Sequence, residues 1–538
     1  MAKDNIVPPF VQIDGILELT CHKPDGIKHL KEALLKMVSG LDYLFRYPHV
    51  CTEQWVSRAY PAVALKDLYT SLDLKAAQGK TDELVRETLD YLPKTLKPDG
   101  LYAFWPGGPG RVHLTAYVVE FLVEAKKSGY TFDAKLLDRP LAALKEALRS
   151  DYSRFIDGYA FTERTEALLA LSKAGQFDAA YGSELAKKAK FSDLYAETRI
   201  LQAYNAGQKG GGGIPDDLRK DLWDNTLFKL QDGKEVYGGL QSRVKVWNSQ
   251  ALASEVRTQA SLIRALHPKD AQNPKLRMVI DDLVARGAED GWGNTQLNAV
   301  ALLTLRDIVK AKREGTPKRE FRLEFGEAKQ VLRTDAEQPS ASYATSSEAP
   351  GRLVPVSGNP EGLFARMGLV YTPKAGGDRV TARSEGFVVR REIIRVRADN
   401  APPAKEWLDK EGATFPFALG DVVEEHIQVI NPEDRNYVAV VAPFAAGLEP
   451  MNPNLATSPK EARPSGTQTL EPSYAMYLDS EVRFYYETLP KGTYDFYFRL
   501  KASTPGSFTH PAAHAEMMYQ PQKRGNSPGA KVEVQDRE

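Results

Sequence analysis

The stretch YPHVCTEQWVSRAYP, residues 47–61, decides how the rest of the chain is read. It holds Cys51, one of only two cysteines in 538 residues, three positions before Gln54 and just ahead of a helical run. Positions i and i+3 on the first turn of a helix share a face, so their side chains touch. A helix N-terminus favours the thiolate, which can attack the Gln54 amide carbon. Loss of ammonia leaves an internal thioester closing a ring of about 15 atoms, a covalent change the sequence itself does not display. An incoming amine or hydroxyl would take the Gln54 acyl group and free Cys51. Water attacks too, so the bond must stay dry until it is used. Tyr43, Phe45, Tyr47, Trp55 and Tyr60 are the local candidates for a shield. The same residues admit three other readings. Cys51 packs as a small buried hydrophobe, works as a catalytic pair with His49, or bridges to Cys21, which would consume the thiol.

At this length about two to four domains are expected rather than one core. Apolar residues at 42% and charged residues at 26% place the chain among ordinary globular proteins. Lys+Arg and Asp+Glu balance at 71 each, which argues against a polyanion-binding surface and hence against a nucleic-acid partner. No apolar run approaches the roughly 20 residues of a membrane helix. The opening MAKDNIVPPFVQIDG has neither an apolar stretch nor a small-residue cleavage site, so the expectation is a cytoplasmic chain or an excised piece of a longer one. Two cysteines and eight histidines make a poor stock of zinc ligands, and no metal or cofactor is expected.

From residue 27 to 312 the apolar period is helical. Ile27, Leu30, Leu34, Met37 and Leu41 fall at spacings of three and four, as do Leu114, Tyr117, Val118, Phe121, Leu122 and Ala125. Breakers such as KPDG at 97, PGGPG at 106 and KGGGG at 209 separate the runs. Three segments begin with threonine, at Thr165, Thr258 and Thr295, and read as helices opened by a cap or first-turn residue. Helical pairs repeated at irregular intervals predict a ring or solenoid of α-hairpins. After residue 316 the period becomes two. FVVRREIIRVRA at 387, DVVEEHIQVI at 421 and NYVAVVAPF at 436 read as strands. EVRFYYETLPKGTYDFYFRLKA puts Val482, Phe484 and Tyr486 on one face and returns with Tyr494, Phe496, Phe498 and Leu500, which predicts a hairpin. Residues 337–351 read as a long polar loop, and a second loop follows in 452–473. The fold class predicted is therefore α + β and multidomain, an α/α toroid followed by antiparallel β-sandwich domains.

YPHVCTEQWVSRAYP resembles the thioester signature of the α2-macroglobulin family, whose bacterial members read close to YPYGC-x-EQ-x-x-SR-x-x-P. DGLYAFWPGG, LTAYVVEFLVEAKKSGY and GWGNTQLNAVALLTL resemble that family's helical thioester domain. APFAAGLEPMNP, RLKASTPGSFTHPAAHAEMMYQP and RGNSPGAKVEV resemble its last macroglobulin-like sandwich. The resemblance implies a toroid over 26–315 after an incoming strand in 1–25, a CUB-like β segment over 316–384 and a sandwich over 385–538. It also implies a single-use protease trap rather than an enzyme, with Cys51 and Gln54 as the thioester pair. Tyr47, Met518 and Tyr519 match the residues that cover the bond in bacterial relatives.

The sequence departs from the pattern in places. His49-Val50 stands where the family has Tyr-Gly. Some vertebrate members use a histidine to aid transfer to hydroxyls, and His113 is the nearby candidate, at a slot that is not usually histidine. The upstream macroglobulin-like domains and bait region of the relatives do not precede residue 1, so the chain reads as a C-terminal fragment or a truncated relative. Its implied partners are target proteases or other nucleophile-bearing proteins, and its implied place is the periplasm, cell envelope or exterior. Two rivals stay open: an α/α-toroid enzyme, or a binding module whose thioester never forms.

Overall fold

In a computed structural model the chain divides into two compact units, Met1–Thr372 and Pro373–Glu538. The structure describes residues 10–15, 28–69, 75–149, 160–207, 213–231, 233–241, 252–288, 291–311, 318–325, 328–334, 341–345, 351–357, 366–370, 380–396, 404–407, 413–455 and 457–536. Cys21 lies outside them.

The first unit is built around a closed helical ring. Its inner wall is α2 (Thr52–Ala64), α4 (Val112–Lys127), α6 (Ala160–Lys173), α8 (Leu194–Gly207), α10 (Glu255–Asp270) and α12 (Thr295–Ala311). Each packs on the next, and α12 packs back on α2. Outside them lie α1 (Lys28–Arg46), α3 (Lys75–Thr95), α5 (Lys135–Ala147), α7 (Ala179–Lys188), α9 (Ile214–Asp224) and α11 (Pro274–Ala285). The sequence sorts the two layers. An inner helix touches neighbours on all sides and is buried nearly all round, as α4 is with Leu114, Val118, Val119, Phe121, Leu122 and Val123 buried alongside Thr115 and Glu120. An outer helix buries one stripe, as α5 does with Leu136, Leu137, Leu141 and Leu144.

Turns between the helices use glycine where the backbone demands it. Gly291 has φ +74°, and a Cβ there would meet the Asn298 Oδ1 that accepts the Trp292 N–H. Of the three threonines expected to open helices, Thr295 is the first residue of α12. Thr258 follows the true cap, Ser254, and Thr165 lies well inside α6. Their hydroxyls bond backward, to the Ser254 and Thr162 carbonyls, which is the other way a threonine satisfies itself in a helix.

Among the described residues two two-stranded ribbons, Tyr102–Ala103 with Gly110–Arg111 and Thr226–Gln231 with Lys234–Leu240, and two three-stranded sheets complete the first unit. Phe10–Gly15 pairs antiparallel with both Ala341–Thr345 and Arg366–Val370, so the incoming strand shares a sheet with the segment that follows the ring. Arg319–Phe325 pairs with Ala328–Thr334 and Gly351–Ser357. The polar stretch 337–351, expected to be a loop, thus contains the strand Ala341–Thr345. Its alternating small residues carry too little apolar signal to show it.

The second unit is a β-sandwich. One sheet holds Arg383–Glu385, Gln520–Asn526, His514–Met517, Arg435–Pro443, Glu481–Leu489 and Tyr474–Tyr477 in that order. Facing it is a sheet of Ala404–Trp407, Val388–Arg395, Val422–Asn431, Gly492–Ala502 and Leu448–Met451. The expected boundary at 384/385 falls inside the first of these sheets. All pairs are antiparallel except Thr414–Ala418 with Ala530–Gln535, in a smaller third sheet. The strands read at 387, 421 and 436 are present. The hairpin is not.

Glu481–Leu489 pairs with Arg435–Pro443, while Gly492–Ala502 pairs with Val422–Asn431 in the opposite sheet. The alternation was correct and the partners were not. Two runs that each have an apolar face can pair edge to edge or close on each other face to face, and here Phe484 meets Phe496 at 5.1 Å across the core.

That core encloses one charged triad. Arg391, Glu425 and His510 are all fully buried. Arg391 donates to Glu425 Oε2 at 2.7 Å and to the Pro511 and Pro443 carbonyls at 2.6 and 2.8 Å. His510 Nδ1 accepts the Ala445 N–H, so its proton is on Nε2, 3.0 Å from Glu425 Oε1. Burial raises the Glu425 carboxyl, but Arg391 and His510 overcome it and hold the group at about 2. Burial, then Arg391, lowers the His510 imidazole. Both shifts make the unfolded chain bind protons first as pH falls, so both cost stability in acid. The sandwich's urea-unfolding midpoint is expected to fall in two windows, below about 6.5 for His510 and below about 4.5 for Glu425. His510→Gln is expected to remove the upper window only, and a midpoint flat from pH 7 to 5 in the parent would contradict this.

Candidate functional site

Cys51 is the N-cap of α2, with extended backbone at φ −133° and ψ 174°. Cys51 and Gln54 are both fully buried, and among the described residues the Cys51 sulfur is in no disulfide. Three sets of bonds fix this turn. The Thr52 N–H donates to the Phe104 carbonyl at 2.8 Å, and the Thr52 hydroxyl donates to the Ala103 carbonyl at 2.6 Å. Both acceptors lie in the LYAFWPGG stretch. Trp105 Nε1 donates to the Val50 carbonyl at 3.3 Å. Arg58, one turn further along α2, reaches back to the Tyr47 carbonyl and, at 3.2 Å, to the His49 carbonyl. The His49-Val50 turn, where the sequence departs from the family pattern, is therefore held from both sides by backbone carbonyl contacts that do not depend on its side chains.

The Gln54 amide is the anomaly. Among the described residues neither its Oε1 nor its Nε2 has a hydrogen-bond partner, although both are buried. A buried carboxamide left unsatisfied costs about 1–3 kcal/mol per group.

The neighbouring residue faces the other way. Glu53 is buried, accepts from the Ser57 hydroxyl, and accepts from the Thr295 hydroxyl of α12 at 3.2 Å. Ser57 in turn is 3.0 Å from the Tyr117 hydroxyl of α4. Glu53 thus clamps α2 to both of its neighbours in the ring and stands in the wall of a cavity on the ring's axis. The cavity is about 40 Å³, room for about three waters. Glu120, Glu166, Arg199 and Arg257 share the wall. Arg199 bridges Glu120 and Glu166, Arg257 pairs with Glu166 at 2.6 Å, and Lys173 pairs with Glu120. Burial raises the Glu120 carboxyl, but Arg199 and Lys173 overcome it and hold it at about 2. Burial pulls Lys173 down to about 8. Burial and the Glu53 charge hold the Tyr117 phenol well above its usual range.

The expected site residues fall in several places. Tyr47 is buried, its ring 5.7 Å from Tyr43 and edge-on to His49 at 5.5 Å. Trp55 packs on Tyr91 at 5.9 Å with Arg58 over its ring. Tyr60 is six residues past Gln54, about 120° around the helix; it lines the axial cavity against Tyr117 and Phe121. His113 lines the same cavity, its Nδ1 3.5 Å from Glu163 and its ring 6.0 Å from Phe104. Met518 and Tyr519 belong to the second unit, where they form the apex of a hairpin. Among the described residues no cluster of His, Cys, Asp and Glu is suited to a metal ion, and no helix is long and apolar enough to cross a membrane. Sequence reasoning gave no role to Glu53, Ser57 and Arg58, and read Thr295 only as a helix-opening residue. Glu53, Ser57 and Arg58 do stand in the quoted signature, but a signature does not say which face each residue serves.

Residues 386–522 match the family of the bacterial alpha-2-macroglobulin MG10 domain. Over 507 residues, 90% of this chain, the sequence is 21% identical to an alpha-2-macroglobulin homolog of Nostoc sp.. Over most of its length the chain is similar to bacterial α2-macroglobulins. It is also 23% identical over 532 residues to an alpha-2-macroglobulin of Xylella fastidiosa. It spans only 25% and 29% of the length of these two α2-macroglobulin relatives. An Escherichia coli α2-macroglobulin structure running from domain MG7 to the C-terminus matches 99% of this chain with a TM-score of 0.71 at 18% identity, over 78% of its own length. A Salmonella α2-macroglobulin structure, reacted with methylamine, matches 99% of this chain with a TM-score of 0.71 at 16% identity, over 32% of its own length. Residues 1–43 also match the eukaryotic translation initiation factor 2 alpha subunit family, a likeness that ends inside α1 of the helical ring.

Arg58→Met is expected to orphan two carbonyls at the cap of α2 and to cost about 1.5–3 kcal/mol of stability. Urea unfolding of the ring measures it, and an unshifted midpoint would show that those carbonyls have another donor.

Proposed function

We propose that Cys51 and Gln54 form an internal thioester and that the chain is the reactive C-terminal part of an α2-macroglobulin-like protease trap. The observation that carries this reading is the Gln54 carboxamide, buried on the turn capped by Cys51 with no hydrogen bond to either of its polar atoms among the described residues. Such an amide is costly as an amide. In the closing step the Cys51 Sγ–Gln54 Cδ bond forms and the Cδ–Nε2 bond breaks. The thiol proton leaves with the nitrogen as ammonia, which removes the unsatisfied NH2. In the trapping step a nucleophile's nitrogen or oxygen bonds to Cδ, the Cδ–Sγ bond breaks, and the nucleophile's proton passes to the sulfur.

Tyr47, Met518 and Tyr519 are the proposed shield that keeps water from the acyl carbon until a protease has triggered opening. His113 is the candidate for aiding transfer to hydroxyls. Its Nε2 makes no hydrogen bond among the described residues, and it shares the cavity wall with Glu53. The targets proposed are proteases and other proteins bearing amines or hydroxyls, met in the periplasm, at the cell envelope or outside the cell. The thioester is spent once, so the product is an adduct and not a turnover.

Fresh native protein is expected to show an intact mass about 17 Da below that of the encoded chain, the mass of one ammonia. Methylamine is expected to add at Gln54 and release one titratable thiol, and Cys51→Ala to abolish both effects. Full theoretical mass with both thiols titratable before treatment would sink the proposal.

A further inference from the structure

Strand Arg435–Pro443 of the sandwich is interrupted at a single residue. Tyr437 has φ +56°, in the left-handed region that a ring-bearing side chain ordinarily avoids. Its neighbours are paired, Asn436 with Thr488 and Val438 with Tyr486, so the left-handed residue sits between two regular rungs. The N–H of Glu487, the residue that would face Tyr437, is taken by the Ser473 hydroxyl at 3.0 Å. Nothing in this strand needs a break for its own sake. Val438, Val440 and Ala442 continue the inward-facing row of the core.

The break serves the strand on the other side. His514–Met517 pairs with Arg435–Pro443 up to Val438↔Met517, and the next donor, the Met518 N–H, bonds to the Tyr437 carbonyl at 2.8 Å. Met518 and Tyr519 are the two apex residues of the hairpin closed by Met517↔Gln520. Two-residue hairpin loops normally carry Asn, Asp or Gly, because the strand twist calls for positive φ at the apex. Here the apex is Met-Tyr and neither residue has positive φ. The twist is absorbed elsewhere, in the register shift between Glu516 and Met517 and in Tyr437. The Tyr437 ring also meets the Tyr519 ring edge-on, at 5.1 Å and 84°. Tyr437 is buried, and Tyr519 is half-buried. One residue therefore supplies the acceptor for the first apex amide and the wall for the second apex side chain. Apex chemistry that contradicts the turn marks a position selected for something other than folding.

We infer that Tyr437 is the positioning residue of the Met518–Tyr519 apex: its left-handed backbone fixes Met518 and its ring fixes Tyr519. The functional side of this inference rests on the shielding role proposed above. The structural side does not. Three variants of the 538-residue chain test it. Tyr437→Gly removes the ring and lets the backbone leave the left-handed conformation freely, Tyr437→Phe keeps the ring and the backbone restriction, and Tyr519→Ala removes the proposed shield.

Amide exchange at Met518 is expected to quicken about tenfold in Tyr437→Gly and to match the parent in Tyr437→Phe, with Val440 and Phe496 unchanged as a check on the fold. Methylamine-driven thiol release is expected to quicken severalfold in Tyr437→Gly and Tyr519→Ala, to stay at the parent rate in Tyr437→Phe, and to be no faster in Tyr437→Gly/Tyr519→Ala than in Tyr519→Ala alone. Parent-like Met518 exchange in Tyr437→Gly overturns the inference. So does parent-like thiol release in Tyr437→Gly when Tyr519→Ala is fast. Parent-like release in Tyr519→Ala defeats the shielding role itself and leaves the exchange result to judge the positioning alone.

Discussion

Arg199 lies between two carboxylates on the axis of a helical ring, and the closure of that ring depends on it. Glu120 comes from α4, Glu166 from α6 and Arg199 from α8, with Arg257 of α10 completing the line. Charges taken out of water are tolerated only when paired, and a pair that loses one member leaves the other stranded at a cost of several kcal/mol. The four helices therefore cannot shift against one another without exposing or orphaning a charge. Apolar packing would hold six helices together in several registers. The axial charges select one of them.

That register reaches the first turn of α2. Glu53, the second residue of α2, meets Thr295, the first of α12, and Ser57, about one turn further along, meets Tyr117 on the other side. The inner helices run parallel, with first turns at one end, and several of those turns carry an acid, as at Glu53, Glu163, Glu197 and Glu255. The face of α2 that holds Glu53, Ser57 and Tyr60 is committed to the ring. Cys51 and Gln54 are left on another face, fixed through backbone contacts with Ala103, Phe104 and Trp105. Division of labour around one short helix lets a single segment serve as a structural stave on one face and carry Cys51 and Gln54 on another.

The architecture was legible because its signals are periodic. Apolar spacing of three and four gave the ring helices, and spacing of two gave the sandwich strands. What spacing leaves open is partnership. The run Val482–Phe484–Tyr486 and its return Tyr494–Phe496–Phe498 have the same alternation whether they pair or face each other, and only the rest of the sandwich decides. Cys51 and Gln54 could be singled out as a candidate pair only by adding the resemblance of the surrounding signature to their spacing. Glu53 was not, because a charged residue in a helical run reads as a solvated face until the ring closes over it. Tyr437 was less visible still. Its identity is ordinary for a strand, and its backbone conformation at +56° costs about 1–3 kcal/mol that no sequence pattern records.

The separation of Glu481–Leu489 and Gly492–Ala502 into opposite sheets has a bearing on how the sandwich assembles. Joined by only two residues, they are the most local pair of long strands in the unit, yet they share no ladder. Each must instead find a strand laid down some fifty to seventy residues earlier. Early nucleation by the turn between them is thereby denied to these two long strands, and their collapse waits on distant partners, which makes for slow folding with unpaired edges in the interim. A nascent chain would carry Val422–Asn431 and Arg435–Pro443 incomplete until the last segments of the polypeptide emerge to cover them.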